Sequence, residues 1–217
     1  MKSSFSVFDE NALEYDDWFE MHSIPYQSEL SALKQAISPG KTGIEIGVGT
    51  GRFAQVLDIK YGVEPSENMA RMAEKKGIKV LRAVAENLPV DSNSFDFALM
   101  VTTVCFLNNI PKAFSEVYRI LKPQGEVILA IIDQNSEIGK KYEKEKNTNL
   151  FYRDAHFHST EEITKLIKHA GFKNLKYWQT LFKNNSEKIE QPREGFGEGS
   201  FVVIKATKTT TQQEENK

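Results

Sequence analysis

The segment Thr42-Gly43-Ile44-Glu45-Ile46-Gly47-Val48-Gly49-Thr50-Gly51 constrains the fold more than any other stretch of this chain. A short apolar run carrying an acid leads into three glycines at alternate positions, the pattern of a strand, a tight turn and the start of a helix. Glycine has no Cβ, so it accepts positive φ and lets a bound molecule lie against the backbone. A second acid, Glu64, ends the next apolar run, Ile59-Lys60-Tyr61-Gly62-Val63. In a doubly wound sheet adjacent strands end side by side. Glu64 is then placed to accept hydrogen bonds from both ribose hydroxyls of a nucleoside held over the glycine loop.

A dinucleotide fingerprint, G-x-G-x-x-G, would require glycine where this chain has Arg52; the pattern here is E-x-G-x-G-x-G. Further segments follow in order: Pro65-Ser66-Glu67-Asn68-Met69, then Ala85-Glu86-Asn87-Leu88-Pro89-Val90 with Ser94-Phe95-Asp96-Phe97, then Tyr118-Arg119-Ile120-Leu121-Lys122-Pro123-Gln124-Gly125. In series, over about residues 40–133, these resemble the class I S-adenosylmethionine (SAM)-dependent methyltransferases, of the small-molecule, ubiquinone/menaquinone-biosynthesis-like "type 11" kind. The resemblance implies SAM as cofactor. Glu45, Gly47, Val48, Gly49 and Gly51 would shape the methionine side of its pocket, and Glu64 would grip the ribose. Pro65 and Met69 would border the adenine with Ala85 and Glu86, and Thr102 would lie near the methyl group. Val84 stands where the family's adenine-binding aspartate sits, so the Ala85 amide and Glu86 are expected to hold the base. Twelve residues separate Gly51 from Glu64, which shortens the first helix of the domain to about residues 52–57.

Apolar runs at 42–46, 59–64, 78–83, 95–101 and 126–132 alternate with helix-length segments, which predicts βαβ units and a parallel sheet. Two more strands are expected at 175–182 and 200–206. The resemblance implies a three-layer αβα Rossmann-like fold with seven strands, the last antiparallel. Lys122-Pro123-Gln124-Gly125 suits a type I turn. Ser159-Thr160-Glu161-Glu162 has the form of a capping box opening a helix. Residues 1–38 are expected as a helical lid, 39–206 as the methyltransferase domain with a substrate-side insertion at 133–158, and 207–217 as a disordered tail.

At 217 residues the chain supports one domain. A net charge of −2 and a pI near 6.1 argue against nucleic acid as a partner. The longest apolar run falls far short of the ~20 residues that span a bilayer, and the single cysteine, Cys105, permits no intrachain disulfide. Both point to a cytoplasmic protein. No third ligand accompanies His156 and His158, so no metal is expected.

The expected partner is therefore a small-molecule methyl acceptor. Tyr15 and Trp18, in an aromatic and acidic N-terminal run, suit a lid over a cationic sulfonium or amine through ring faces and carboxylates. Tyr152, His156 and His158 form a second candidate for contacting the acceptor. An imidazole with pKa near 6.5 can take a proton from a nucleophile, which makes His156 the candidate base. A protein that binds SAM without catalysis, as sensor or partner subunit, is the alternative reading. A nicotinamide oxidoreductase is disfavoured by Arg52.

Overall fold

The computed structural model describes residues 6–182 and 187–209. Strands β1 (Gly43–Ile46), β2 (Tyr61–Val63), β3 (Lys79–Leu81), β4 (Phe95–Val101) and β5 (Leu121–Ile132) run parallel to one another. β6 (Phe172–Thr180), β7 (Arg193–Glu194) and β8 (Phe201–Lys208) complete one sheet in the order β3-β2-β1-β4-β5-β8-β6-β7. β8 runs antiparallel between β5 and β6, as expected of the last strand. The two-residue edge strand β7 makes eight strands where seven were expected. Thr207 and Lys208 belong to β8 rather than to a tail, and the remainder of the expected tail, 210–217, lies outside the described residues.

Among the described residues eight α-helices accompany the sheet: α1 (Ser6–Glu10), α2 (Ala12–Met21), α3 (Ser23–Ala36), α4 (Arg52–Val56), α5 (Glu67–Lys75), α6 (Ile110–Ile120), α7 (Glu137–Glu145) and α8 (Thr160–His169). The two-residue period of the strands sorts the core into two halves. On one face Ala98, Met100, Leu129 and Ile204 meet Phe114 and Val117 of α6 and Ile163 and Ile167 of α8. On the other, Phe97, Leu99, Ile128 and Val203 meet Leu30 and Leu33 of α3, Phe53 of α4 and Ala73 of α5. Both halves are almost free of solvent, and each fully buried Phe or Leu contributes ~1.5–3 kcal/mol. This is the three-layer αβα arrangement.

Local chemistry sets the helix starts. Ser66 accepts the Met69 amide, Asn109 that of Lys112, Ser136 that of Gly139, and Ser159 that of Glu162. Ser159 is thus half of the expected capping box, while the Glu162 carboxylate lies 3.0 Å from His158 Nδ1. The turn expected as type I is corrected. Gln124 has φ 63°, the left-handed value that defines the third position of a type II turn. Gly125 is required beside it, since a Cβ there would stand 2.8 Å from the Lys122 carbonyl oxygen.

Candidate functional site

The strand order reverses between β1 and β4, and open α/β sheets bind ligands outside the carboxyl ends of the strands at such a point. A cavity of about 900 Å³, its mouth included, opens there. Its walls are the loop after β1 (Ile46, Gly47, Gly49), the end of β2 with Glu64, Pro65 and Met69, the segment 83–86, and Thr102 and Thr103 beyond β4. Phe8, Tyr15 and Tyr152 add an aromatic wall.

The glycine loop divides its tasks. The Gly47 and Val48 amides both donate to Val63 O, at 2.8 and 3.0 Å, which pins the loop to the end of β2. Gly49, at φ 54°, has no atom within 3.6 Å of a would-be Cβ, so its bare backbone faces the cavity. Gly51 instead packs on α5: a Cβ would lie 3.1 Å from Ala73 and 2.6 Å from Ile78. Val48 covers Gly62 of β2. Glu45 accepts the Ala54 amide in the first turn of α4, whose N-cap, Gly51, has no side chain to do so. Burial holds its carboxyl well above the usual range, since ionisation in that setting is costly. Of the five loop residues expected around the methionine moiety, Gly47 and Gly49 reach the cavity. Glu45, Val48 and Gly51 brace the loop from behind.

Glu64 is 6% exposed and joins two segments. Oε2 accepts the Gly49 amide at 2.9 Å and Oε1 the Ser66 amide at 2.9 Å. Burial raises its pKa, while the two amides oppose that shift by favouring the ionised form. An ionised carboxylate has about four acceptor sites, so two are left for vicinal hydroxyls. Pro65, Met69, Ala83, Val84 and Ala85 add an apolar slot beside it, suited to a flat base. Glu86 lines the cavity too, and its Oε1 accepts the Asn108 and Asn109 amides at 2.9 and 3.1 Å, tying the segment before β4 to the start of α6. The bare loop, the acid and the slot fit an adenosine-containing cofactor.

Thr102 has φ 48°, an outlier for a β-branched residue, and its amide donates to Ala130 O at 2.8 Å. Such strain costs about 1–3 kcal/mol and collects at working sites. Thr102→Gly should therefore raise the unfolding midpoint, the relief exceeding the ~0.5–1 kcal/mol entropic penalty of glycine. Turnover should fall at the same time, because the side chain lines the cavity. Denaturant titration beside an initial-rate measurement checks both; an unchanged or lower midpoint refutes the strain.

The lid is aromatic inside and ionic outside. Phe8 meets Tyr15, Phe106 and Phe151 at ring separations of 5.8, 4.9 and 5.5 Å. Asp9 anchors α1 by accepting the Ser66 hydroxyl at 2.7 Å and the Asn68 amide at 2.9 Å, so it caps α5. Of the acids in the run expected to face a cation, Asp16 instead binds Arg52 and Lys76, and Glu20, just beyond that run, also binds Arg52. Arg52, which breaks the dinucleotide fingerprint, is thus the staple between lid and glycine loop. Trp18 stacks on His22 at 4.5 Å and is not part of the cavity wall.

His156 is exposed, its amide donates to Cys105 O at 2.8 Å, and it belongs to the wall neither of this cavity nor of a smaller one adjoining it. That placement takes the base role from it. His158 lines the smaller cavity with Thr102, Cys105 and Tyr152, and Tyr152 borders both. Phe8 was missed by the sequence reading, although Phe8, Tyr15 and Phe19 follow helical spacing. Asp133 was also missed: it ends β5 and accepts the Asn135 and Thr160 amides, so it sets where the insertion leaves and α8 begins. No cluster of three or more metal-ligating side chains occurs, and no helix is long and apolar enough to cross a membrane, among the described residues.

A family model described as a methyltransferase domain matches residues 44–129. The crystal structure of a Thermotoga maritima SAM-dependent methyltransferase, described as a "possible histamine N-methyltransferase", has a TM-score of 0.92 and 51% identity over 94% of this chain and 100% of that one. An uncharacterized protein of Methanocaldococcus jannaschii is 48% identical over 205 residues, 94% of this chain and 99% of its own. Phosphoethanolamine N-methyltransferase 2 of Caenorhabditis elegans is 27% identical over 164 residues, 69% of this chain and 37% of that protein. The motifs, the inserted antiparallel strand and the full-length likeness agree, and the chain belongs to the class I SAM-dependent methyltransferases, enzymes that take SAM as cofactor.

Proposed function

We propose that this enzyme transfers a methyl group to a small-molecule acceptor by in-line displacement. The observation that carries the reading is the cavity itself, lined beside Thr102 by the aromatic rings of Phe8, Tyr15 and Tyr152, a wall suited to a small molecule. SAM supplies an electrophilic methyl on a sulfonium that departs as a neutral thioether. Glu64, braced by the Gly49 amide, holds the ribose, Gly47 and Gly49 face the methionine side, and Pro65, Met69 and Ala85 enclose the base. Residues 6–21 serve as lid, 39–206 as the catalytic body and 133–158 as the acceptor-side insertion; α3, expected within the lid, packs on the sheet through Leu30 and Leu33, and residues 1–5 lie outside the described residues.

Alignment and exclusion of water supply most of the rate in such a displacement. Phe8, Tyr15, Phe106 and Phe151 exclude water, and Tyr15 and Tyr152 offer ring faces to positive charge. Burial pushes both phenols above their ordinary pKa, so they remain neutral donors at physiological pH. Incubation with methyl-labelled SAM and separate metabolite, protein and RNA fractions tests the reading. Label is expected in the metabolite fraction alone. Binding without transfer, or label confined to protein or RNA, would overturn it.

A further inference from the structure

Methyl transfer to a nucleophile that carries hydrogen releases one proton per turnover, and some group beside the acceptor must take it. The titratable side chains on the main cavity are Tyr15, Glu64, Glu86 and Tyr152. Both acids lie on the cofactor side and already accept two backbone amides each. The smaller cavity adds Cys105 and His158. Burial raises the Cys105 thiol to about 12 and holds both phenols above their ordinary range, so all three keep their own protons at neutral pH. An imidazole is the side chain that takes up and releases a proton between about pH 5 and 8. Among the described residues, His158 is the only one on either wall.

The ring is placed for that task. It lines the smaller cavity with Thr102 and Tyr152, and these two border the main cavity as well, so the imidazole adjoins the space beside the strained Thr102. The rest of that wall is apolar, with Val104, Ile131, Ile132 and Phe157. One ring nitrogen, Nδ1, lies 3.0 Å from Oε1 of Glu162, a half-exposed carboxylate one turn into α8. No hydrogen bond to the other, Nε2, occurs among the described residues. The backbone on either side is fixed: His158 O accepts the Gln134 amide at 3.1 Å, and the Thr160 amide and hydroxyl both donate to Asp133, just after β5.

We infer that His158 is the proton acceptor of the reaction and that Glu162 positions it. With its Nδ1 proton facing the carboxylate, the ring presents the Nε2 lone pair to the cavity. As the acceptor attacks, its own lone pair forms the bond to the methyl carbon, and the carbon–sulfur pair stays with sulfur. The hydrogen on the attacking nitrogen, oxygen or sulfur moves to Nε2, whose lone pair forms the new N–H bond. The imidazolium is stabilised by Glu162 and returns its extra proton to solvent once product has left. The acceptor is thus a molecule that brings a hydrogen on its attacking atom: a primary or secondary amine, a phenol or a thiol. A tertiary amine or a thioether has no such proton to give.

The inference rests on the methyl-transfer reading, and its test separates the two. The full chain is given methyl-labelled SAM with the metabolite fraction as the source of acceptor, and S-adenosylhomocysteine affinity is measured by calorimetry in parallel. At neutral pH His158→Gln should lower the single-turnover rate at least about a hundredfold, with S-adenosylhomocysteine affinity unchanged. The deficit should shrink as pH is raised to about 9.5, because more of the nucleophile then arrives already deprotonated. A side chain that only supported the wall would leave the deficit constant. Glu162→Gln should lower the same rate about two- to fivefold, the effect of a half-exposed ion pair, again without change in S-adenosylhomocysteine affinity. A His158→Gln rate within threefold of wild type, a deficit that does not shrink with pH, or cofactor affinity lost along with the rate each overturns the assignment of His158. An unchanged rate in Glu162→Gln overturns the role of the carboxylate. A metabolite fraction left unlabelled by the wild-type chain would instead overturn the methyl-transfer reading.

Discussion

Glu64→Ala should weaken binding of SAM and S-adenosylhomocysteine by about a hundredfold or more while the fold survives. The expectation follows from what the carboxylate joins. Its two oxygens hold the Gly49 and Ser66 amides, one on the cofactor loop and one at the start of the helix that carries Met69. Alanine removes both acceptors along with the two sites left for the ribose hydroxyls. Hydrogen bonds to a charged group are worth ~1.5–3 kcal/mol each, so losing the ribose pair alone predicts ~3–6 kcal/mol, or roughly 10²- to 10⁴-fold in affinity. Glu64→Gln should fall between, because an amide has one acceptor oxygen and must direct its NH2 toward a backbone N–H or a hydroxyl. Calorimetry with S-adenosylhomocysteine measures both variants. An affinity within threefold of wild type for Glu64→Ala would place the ribose elsewhere.

Glu64 was legible in the sequence because its context is local: the acid ends an apolar run whose neighbour ends in the glycine loop, and sheet topology does the rest. The same holds for the strand order around the switch point. What was not legible depended on partners distant in sequence. Asp16 reads as a lid acid, yet Arg52 and Lys76, 36 and 60 residues away, turn it outward. Glu86 lines the cavity as its place beside Ala85 suggests, but its bonds to the Asn108 and Asn109 amides, 22 and 23 residues on, have no sign in the sequence. β6 was expected from 175 but begins at Phe172. Asn174, at φ 54°, lies where the register shifts between Lys173 and Lys176, so the alternation that marks a strand is broken there. Gln124 gives no compositional sign of its positive φ. Burial of Glu29 did leave a trace: it lies three residues after Tyr26 and four before Leu33, on the stripe of α3 that faces the core. An acid in the sequence nevertheless reads as solvent-facing, and only the packed helix shows otherwise.

That buried acid yields the second large effect, on stability. Glu29→Gln should stabilise the ligand-free protein at alkaline pH and have little effect near pH 4. The sign follows from linkage. Burial raises the native carboxyl to about 8 from an unfolded value near 4.5. Between those values the native state holds more protons than the unfolded chain, so stability falls as pH rises through that window and levels off above it. The full shift corresponds to at most about 5 kcal/mol, and local relaxation reduces it. Glutamine does not titrate, so this contribution is absent from the variant and every other titrating group cancels in the comparison. Urea titrations of both proteins at pH 4.5, 6, 7.5 and 9 should give a gap that widens to about pH 8 and then stays constant. A constant gap across the series would mean that Glu29 ionises normally.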